Sequence, residues 1–423
     1  MFEFTETQLA IQTAMRQFCE RELAPLVPKL ESGELSAFPI LRKLSETFAL
    51  RDMISGPLRS RAQRLRHGGP GEEGSTRSDP GNPLSDPVLA AIFAKEIARV
   101  SPGVCLCIAA NIGAGATIAA KGGADLIERW AIPVLALEKV GCWGLTEPGS
   151  GSDAFAMKTT VRIAGDEVVL HGSKTFISNA PVADVFVIYA RLDDGRGDRA
   201  DKRRIFPVVI ERGVSGLSTG PAMKKMGMHA APTGEIFLDD CRVPRSQLLG
   251  DPDRPARDVA EGTLDTERAA IVAMCLGVIE RCLEDAVSFA INREQFGKPI
   301  AAFQLIQQKL ARMYVAYENV RNLMFKMIWL QQTGQTTERE VSAAKWYATE
   351  SAAAVALEAM QVMGGSGYTQ EYAPERLFRD IKLWTIGGGT SEIQTLTIAK
   401  DLLQHRGFHI DLGGGYRHEE RGL

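Results

Sequence analysis

The chain has 423 residues, more than one ordinary hydrophobic core encloses, so about two or three structural units are expected. Its 49 lysines and arginines against 52 acids leave a net charge of −3, and the basic residues are scattered rather than striped, which removes the electrostatic basis for binding nucleic acid. The seven cysteines, Cys19, Cys105, Cys107, Cys142, Cys241, Cys275 and Cys282, form no CxxC pair and no metal-ligand pattern with the six histidines. They read as reduced core thiols in a cytoplasmic setting, with no metal site. The N-terminus, MFEFTETQLAIQ, is acidic and amphipathic, and no uninterrupted apolar run approaches membrane-spanning length, so neither export nor a membrane span is expected.

Residues 5–31 open with Thr5 and Glu6, a capping signal, and place Leu9, Ile11, Met15, Phe18 and Leu23 at helical spacing. Residues 38–53 repeat the amphipathic pattern. Residues 59–86 are dense in Gly, Pro, Ser and charge and are expected to form a mobile surface loop, whose Arg59, Arg61, Arg64 and Arg66 could meet phosphates, an acidic protein or water. Helical periodicity returns at 88–100 and 105–123, where small residues suit either a wide pocket or tight helix packing. From about 140 the texture changes to short β-branched or alternating runs ending near Leu249. Long helical patterns occupy 256–405 and predict an antiparallel bundle. Helix, then β, then helix, without βαβ alternation or GxGxxG, argues against a Rossmann fold.

Five segments carry polar chemistry, and each has a plain structural alternative. WGLTEPGSGSD (143–153) is a turn with exposed amides and hydroxyls that can hold a carbonyl or phosphate oxygen, or simply a capped turn. HGSKTFISNA (171–180) offers an aromatic flanked by hydroxyls, suited to covering a flat heterocycle or to an ordinary strand core. In NREQFGKPIAAFQ (292–304), Arg293 and Gln304 can bind a ligand or decorate a helix-joining turn. QVMGGSGYTQEY (361–372) is a glycine-rich break of the kind that approaches phosphate. TIGGGTSEIQ (385–394) sets three glycines ahead of Thr390 and Glu392, where the hydroxyl is equally a helix N-cap.

In this order and spacing, TEPGSGSD, KTFISN, KKMGMHAAPTGEIFLDDCRVP, REQFGKPIAAFQ, QVMGGSGYTQEYAPERLFRDIKLW and GGGTSEIQ resemble the acyl-CoA dehydrogenase flavoenzymes over nearly the whole chain, most weakly between 55 and 87. The resemblance implies an α+β architecture: an N-terminal helical domain (1–135), a middle β-barrel-like domain (136–250) and a C-terminal four-helix bundle (251–423). It further implies a homotetramer or dimer, non-covalent FAD, an acyl-CoA substrate, a role in fatty acid metabolism and an electron-transfer flavoprotein as electron acceptor. Carried over by position, Trp143, Leu145 and Thr146 line the flavin, Phe176 covers its face and Ser178 lies near its reactive nitrogen. Gly151 and Ser152 match acyl-CoA contacts. Arg293, Phe296, Gln304, Gln361, Gly364 and Gly365 match residues that grip the FAD adenine and pyrophosphate, partly from a neighbouring subunit, and Thr390 and Glu392 match the end that closes over the cofactor.

Many relatives keep their catalytic glutamate in a Tyr-Glu-Gly-Thr run, where this chain has Gly387, Gly388, Gly389 and Thr390. The isovaleryl-CoA and long-chain branches instead carry it in a Leu-Asp-x-Glu-Arg run, and residues 264–268 read LDTER. The resemblance therefore implies Glu267 as the base, followed by Arg268, with the Gly388 N–H retained to polarise the thioester carbonyl. In isolation, the Glu-Arg pair is equally a solvated helix start favoured by the helix dipole. Loss of side chains at Gly387 and Gly388 predicts room for a branched, cyclic or otherwise bulky acyl group. The alternatives are a carrier-protein-bound acyl substrate, or a relative that has lost dehydrogenation.

Overall fold

The computed structural model describes residues 4–67, 86–194, 204–252 and 261–404, the last stretch with its side chains from 268 to 403. Thr5 caps α1 (Glu6–Phe18): its hydroxyl accepts the Gln8 N–H at 3.2 Å while the Gln8 carboxamide accepts the Thr5 N–H at 2.9 Å. The chain continues through α2 (Val27–Glu31), α3 (Phe38–Thr47), α4 (Leu50–Arg66), α5 (Pro87–Val100), α6 (Pro102–Lys121), and the short α7 (Ala124–Leu126) and α8 (Ile132–Leu135).

Three expectations change here. The helix expected over 38–53 is two, because Ala49 turns the chain through a left-handed φ of 50°. Residues 59–66, expected to begin a mobile loop, are instead the last turns of α4, and 68–85 lie outside the described residues. Tertiary partners explain the helix: Ala62, with Leu58 and Leu65, packs on the cluster around Trp130. On the polar side, Arg61 donates to the Ala120 carbonyl, and Arg66 pairs with Asp125 and Glu128, each at 2.9 Å. Finally, α6 is long and apolar enough to cross a membrane by length and composition, contrary to the reading of the sequence. It is a core helix: its buried Asn111 donates to the Val134 and Lys139 carbonyls and accepts the Gly141 N–H.

The middle region is one seven-stranded sheet built from β1 (Gly141–Gly144), β2 (Thr160–Ala164), β3 (Glu167–Ser178), β4 (Val185–Leu192), β5 (Ile205–Glu211), β6 (Leu217–Thr219) and β7 (Thr233–Pro244). Strand β4 is paired along both edges. Along one edge it pairs in parallel with β1 and then β2, and along the other antiparallel with β5. The runs EVVLHG and KTFISN form a single 12-residue strand, β3, antiparallel to β7 with irregularities between Leu170 and Gly172 and between Lys174 and Ile177. The first needs glycine: Gly172 has φ 142°, and a Cβ there would lie 2.7 Å from the Thr159 Cα. The second bears directly on the site.

The C-terminal region holds α9 (Glu261–Asn292), a hairpin of β8 (Glu294–Gln295) and β9 (Lys298–Pro299), then α10 (Gln304–Thr333), α11 (Glu338–Met363), α12 (Ala373–Ile381) and α13 (Ser391–Gln404). Helix α9 packs on α10 and α11, and α11 on α13, while α9 also docks against α5 of the N-terminal region. The docking is close. A Cβ on Gly277 would lie 2.1 Å from the Lys95 carbonyl oxygen. Beside it Arg16, Lys95, Arg99, Glu96, Glu280 and Glu284 form a charge network, in which Lys95 Nζ is 2.6 Å and Arg99 Nε 3.2 Å from Glu280. All seven cysteines are buried and unpaired, their thiols pushed up by burial.

Candidate active site

The candidate site has two parts. The first is the turn that follows β1. Glu147 turns inward and its carboxylate accepts the N–H groups of Lys158 (2.6 Å) and Thr159 (2.9 Å) and the Lys174 ammonium (2.8 Å). Burial alone would raise this carboxyl, but the Lys174 charge and the N–H donors outweigh it and hold it below its ordinary value. The turn is thereby clamped to β3, and the Thr146 carbonyl accepts the Thr175 N–H at 3.0 Å. Leu145 is buried and Thr146 half-buried, while Gly151 and Ser152 stand exposed at the tip. Trp143 is half-buried, its indole N–H donating to the Tyr189 hydroxyl at 3.2 Å in an edge-on ring contact.

Beyond Lys174, β3 bulges. Lys174, Thr175 and Ile177 are buried, but Phe176 adopts φ 58° and presents its ring to the outside, 68% exposed. A left-handed aromatic residue is strained, and a packed strand would have turned it inward. Ser178 ends the strand half-buried. The next residue, Asn179, anchors it by donating to the Cys107 and Gly141 carbonyls and to Asn111.

The second part is the triple-glycine turn. Gly388 and Gly389 have φ 65° and 87°, and among the described residues neither N–H donates to a backbone carbonyl. Their carbonyls are held from three directions. Gly388 O accepts from Arg268 Nε (3.2 Å) and Gln394 Nε2 (3.2 Å), and Gly389 O from Gln394 (3.0 Å) and the buried Lys345 ammonium (2.7 Å). The Arg268 contact joins LDTER to GGGT: the start of α9 lies against the glycine turn. Glu267 occupies that start, next to Arg268 in the helix, with its side chain outside the described residues. Gly387 is half-buried, facing Leu383 and Trp384.

Thr390 caps α13, its hydroxyl accepting the Ile393 N–H at 3.3 Å. Glu392 is exposed in the first turn, held below the ordinary carboxylate value by its own backbone N–H and the Thr390 hydroxyl. Arg293, Phe296 and Gln304 lie on the α9–α10 connection, and Gln361, Gly364 and Gly365 at the end of α11; all six are exposed. Among the described residues no hydrogen bond links them to the β1 turn or to Phe176. Phe296, at the hairpin tip with φ 55°, is 92% exposed. Glu147, Lys174, Lys345 and Gln394 were not singled out from sequence. The first two and Gln394 lie inside the quoted motifs, but nothing in a motif shows which of its polar residues turns inward.

The comparisons with known proteins fit this geometry. The acyl-CoA dehydrogenase middle-domain model matches residues 142–241 and the C-terminal-domain model residues 257–403. Benzylmalonyl-CoA dehydrogenase of Aromatoleum aromaticum is 34% identical over 408 residues, covering 95% of this chain and 99% of its own. The chain belongs to the acyl-CoA dehydrogenase family. A second family member, the mitochondrial short-chain specific acyl-CoA dehydrogenase of Mus musculus, is 33% identical over 95% of this chain and 91% of its own. The structure of butyryl-CoA dehydrogenase from Megasphaera elsdenii superposes with a TM-score of 0.81 at 30% identity, covering 95% of this chain and all of the other. Family membership thus extends across the helical, sheet and helical regions alike.

Proposed function

We propose that this acyl-CoA dehydrogenase removes two hydrogens from the α and β carbons of a bulky acyl-CoA, with FAD as cofactor and Glu267 as the base. The observation that carries the reading is the Arg268 Nε to Gly388 O hydrogen bond, which sets the start of α9 against the turn that has lost the glutamate found there in many relatives. The residues suit a flavin: an exposed aromatic ring held outward by a bulge, beside a turn with a half-buried hydroxyl and a half-buried indole. Phe176 would lie over the ring, with Trp143, Leu145, Thr146 and Ser178 along it. Bound FAD supplies the acceptor for the β-hydride. The chain's own work is to place the thioester, remove the α-proton at the Glu267 carboxylate, and donate from the Gly388 N–H to the thioester oxygen so that the α C–H becomes more acidic.

A glycine at 387 and at 388 leaves room beside the reacting carbons, which supports a branched, cyclic or aromatic acyl group; the benzylmalonyl-CoA relative is of that kind. An electron-transfer flavoprotein is the proposed acceptor, and a homotetramer the proposed assembly. The test is anaerobic bleaching of the bound flavin by a panel of straight, branched, cyclic and aromatic acyl-CoAs. Bleaching by a bulky class is expected, with Glu267→Gln slower by about 10²–10⁴-fold. Full turnover in Glu267→Gln would overturn the base; bleaching only by acyl groups on a carrier protein would overturn the CoA substrate.

A further inference from the structure

Lys174 is fully buried, and its ammonium donates to the Leu145 carbonyl at 3.0 Å as well as to Glu147, with the Met157 sulfur at 3.8 Å. A buried ion pair is seldom the cheapest way to hold a turn, since packed apolar residues of similar volume do so at no desolvation cost. The contact with Leu145 gives the charge a second use. In a trans peptide the carbonyl of residue 145 and the N–H of residue 146 lie in one plane and point in opposite directions. A lysine gripping the carbonyl from the interior therefore turns the Thr146 N–H outward. It also polarises the peptide, which strengthens that N–H as a donor. Thr146 is half-buried beside Phe176, its own carbonyl bonded to the Thr175 N–H.

We propose that Lys174 is a positioning residue for the cofactor: through the Leu145–Thr146 peptide it aims and strengthens an N–H donor that favours the reduced, more negatively charged form of the flavin. The inference rests on FAD binding as proposed above. Burial holds the Lys174 ammonium down at about 8, against the upward pull of Glu147, so the device weakens in alkali.

The experiment is the midpoint potential of bound FAD, with FAD affinity measured in both redox states, in wild type and Lys174→Met from pH 6 to 9. In the variant the reduced form is expected to lose about tenfold more affinity than the oxidised form, a fall of about 30 mV for a two-electron couple. The wild-type advantage should shrink as pH rises through about 8. Equal losses in both states, with the potential unchanged, would reduce the pair to a structural clamp and overturn the proposal. Should Lys174→Met not fold, Glu147→Gln serves. Without its counter-charge the lysine loses its proton at lower pH, so the potential should fall below wild type between pH 6 and 8; a curve parallel to wild type would overturn the proposal. Wild-type protein that takes up no FAD would overturn the proposed function itself.

Discussion

Asp380 shows how much a single residue's surroundings decide. On α12 it is fully buried, accepts the Met228 N–H at 2.5 Å and lies 3.7 Å from Arg376. Burial pushes its carboxyl from an ordinary 3.8 up to about 6, opposed by Arg376 and assisted by Glu31. Because the folded-state value lies above the ordinary one, the fold binds the proton more tightly than the unfolded chain. The stability this group contributes is full below pH ~4 and is lost as pH rises through about 6, a change on the order of 3 kcal/mol. Asp380→Asn keeps an acceptor for Met228 and should flatten the thermal-midpoint profile between pH 4 and 6. An unchanged slope would place the dependence elsewhere. At the same scale Phe176 was legible as an aromatic between hydroxyls, whereas its outward ring was not, because alternation along a regular strand cannot anticipate a bulge.

Among the elements, helix α9 carries the most. It crosses from the N-terminal region to the bundle, holds Arg268 at one end and delivers the chain to the Phe296 hairpin at the other. Its close approach to α5 depends on Gly277. Alanine would raise intrinsic helix propensity by about 1 kcal/mol, yet its Cβ would lie 2.1 Å from the Lys95 carbonyl oxygen. That oxygen is backbone and has nowhere to go. Overpacking of about 1–3 kcal/mol should win, and Gly277→Ala should lower the denaturant midpoint; a rise would show that the helices separate freely. The existence and order of these helices were legible from their spacing. The α4 boundary was not, because an arginine-rich stretch looks like loop until Asp125, Glu128 and the Ala120 carbonyl are brought beside it.

At the scale of the whole molecule, Leu305 is 75% and Leu403 83% exposed, and Val315, Tyr314 and Leu396 add further apolar surface on α10 and α13. So much apolar area is what a protein–protein interface covers. Together with the exposed Phe296 and Arg293, it leads to a definite expectation: the protein sediments as a dimer or tetramer, and Leu305→Glu shifts it toward monomer with weaker FAD binding. A wild-type monomer that binds FAD fully would refute this. By itself the sequence determined the class of the molecule: the order helix, sheet, helix, the family motifs, and the absence of a glutamate at 388 alongside LDTER at 264–268. Local periodicity and residue chemistry are properties of the chain, and they survive without the fold. Tertiary structure alone decided that LDTER and the glycine turn, 120 residues apart, share one hydrogen bond, that Lys174 reaches the peptide before Thr146, and that α6 lies in a core rather than a membrane. Those facts depend on which buried groups find partners, and a partner distant in sequence is fixed only when the chain closes upon itself.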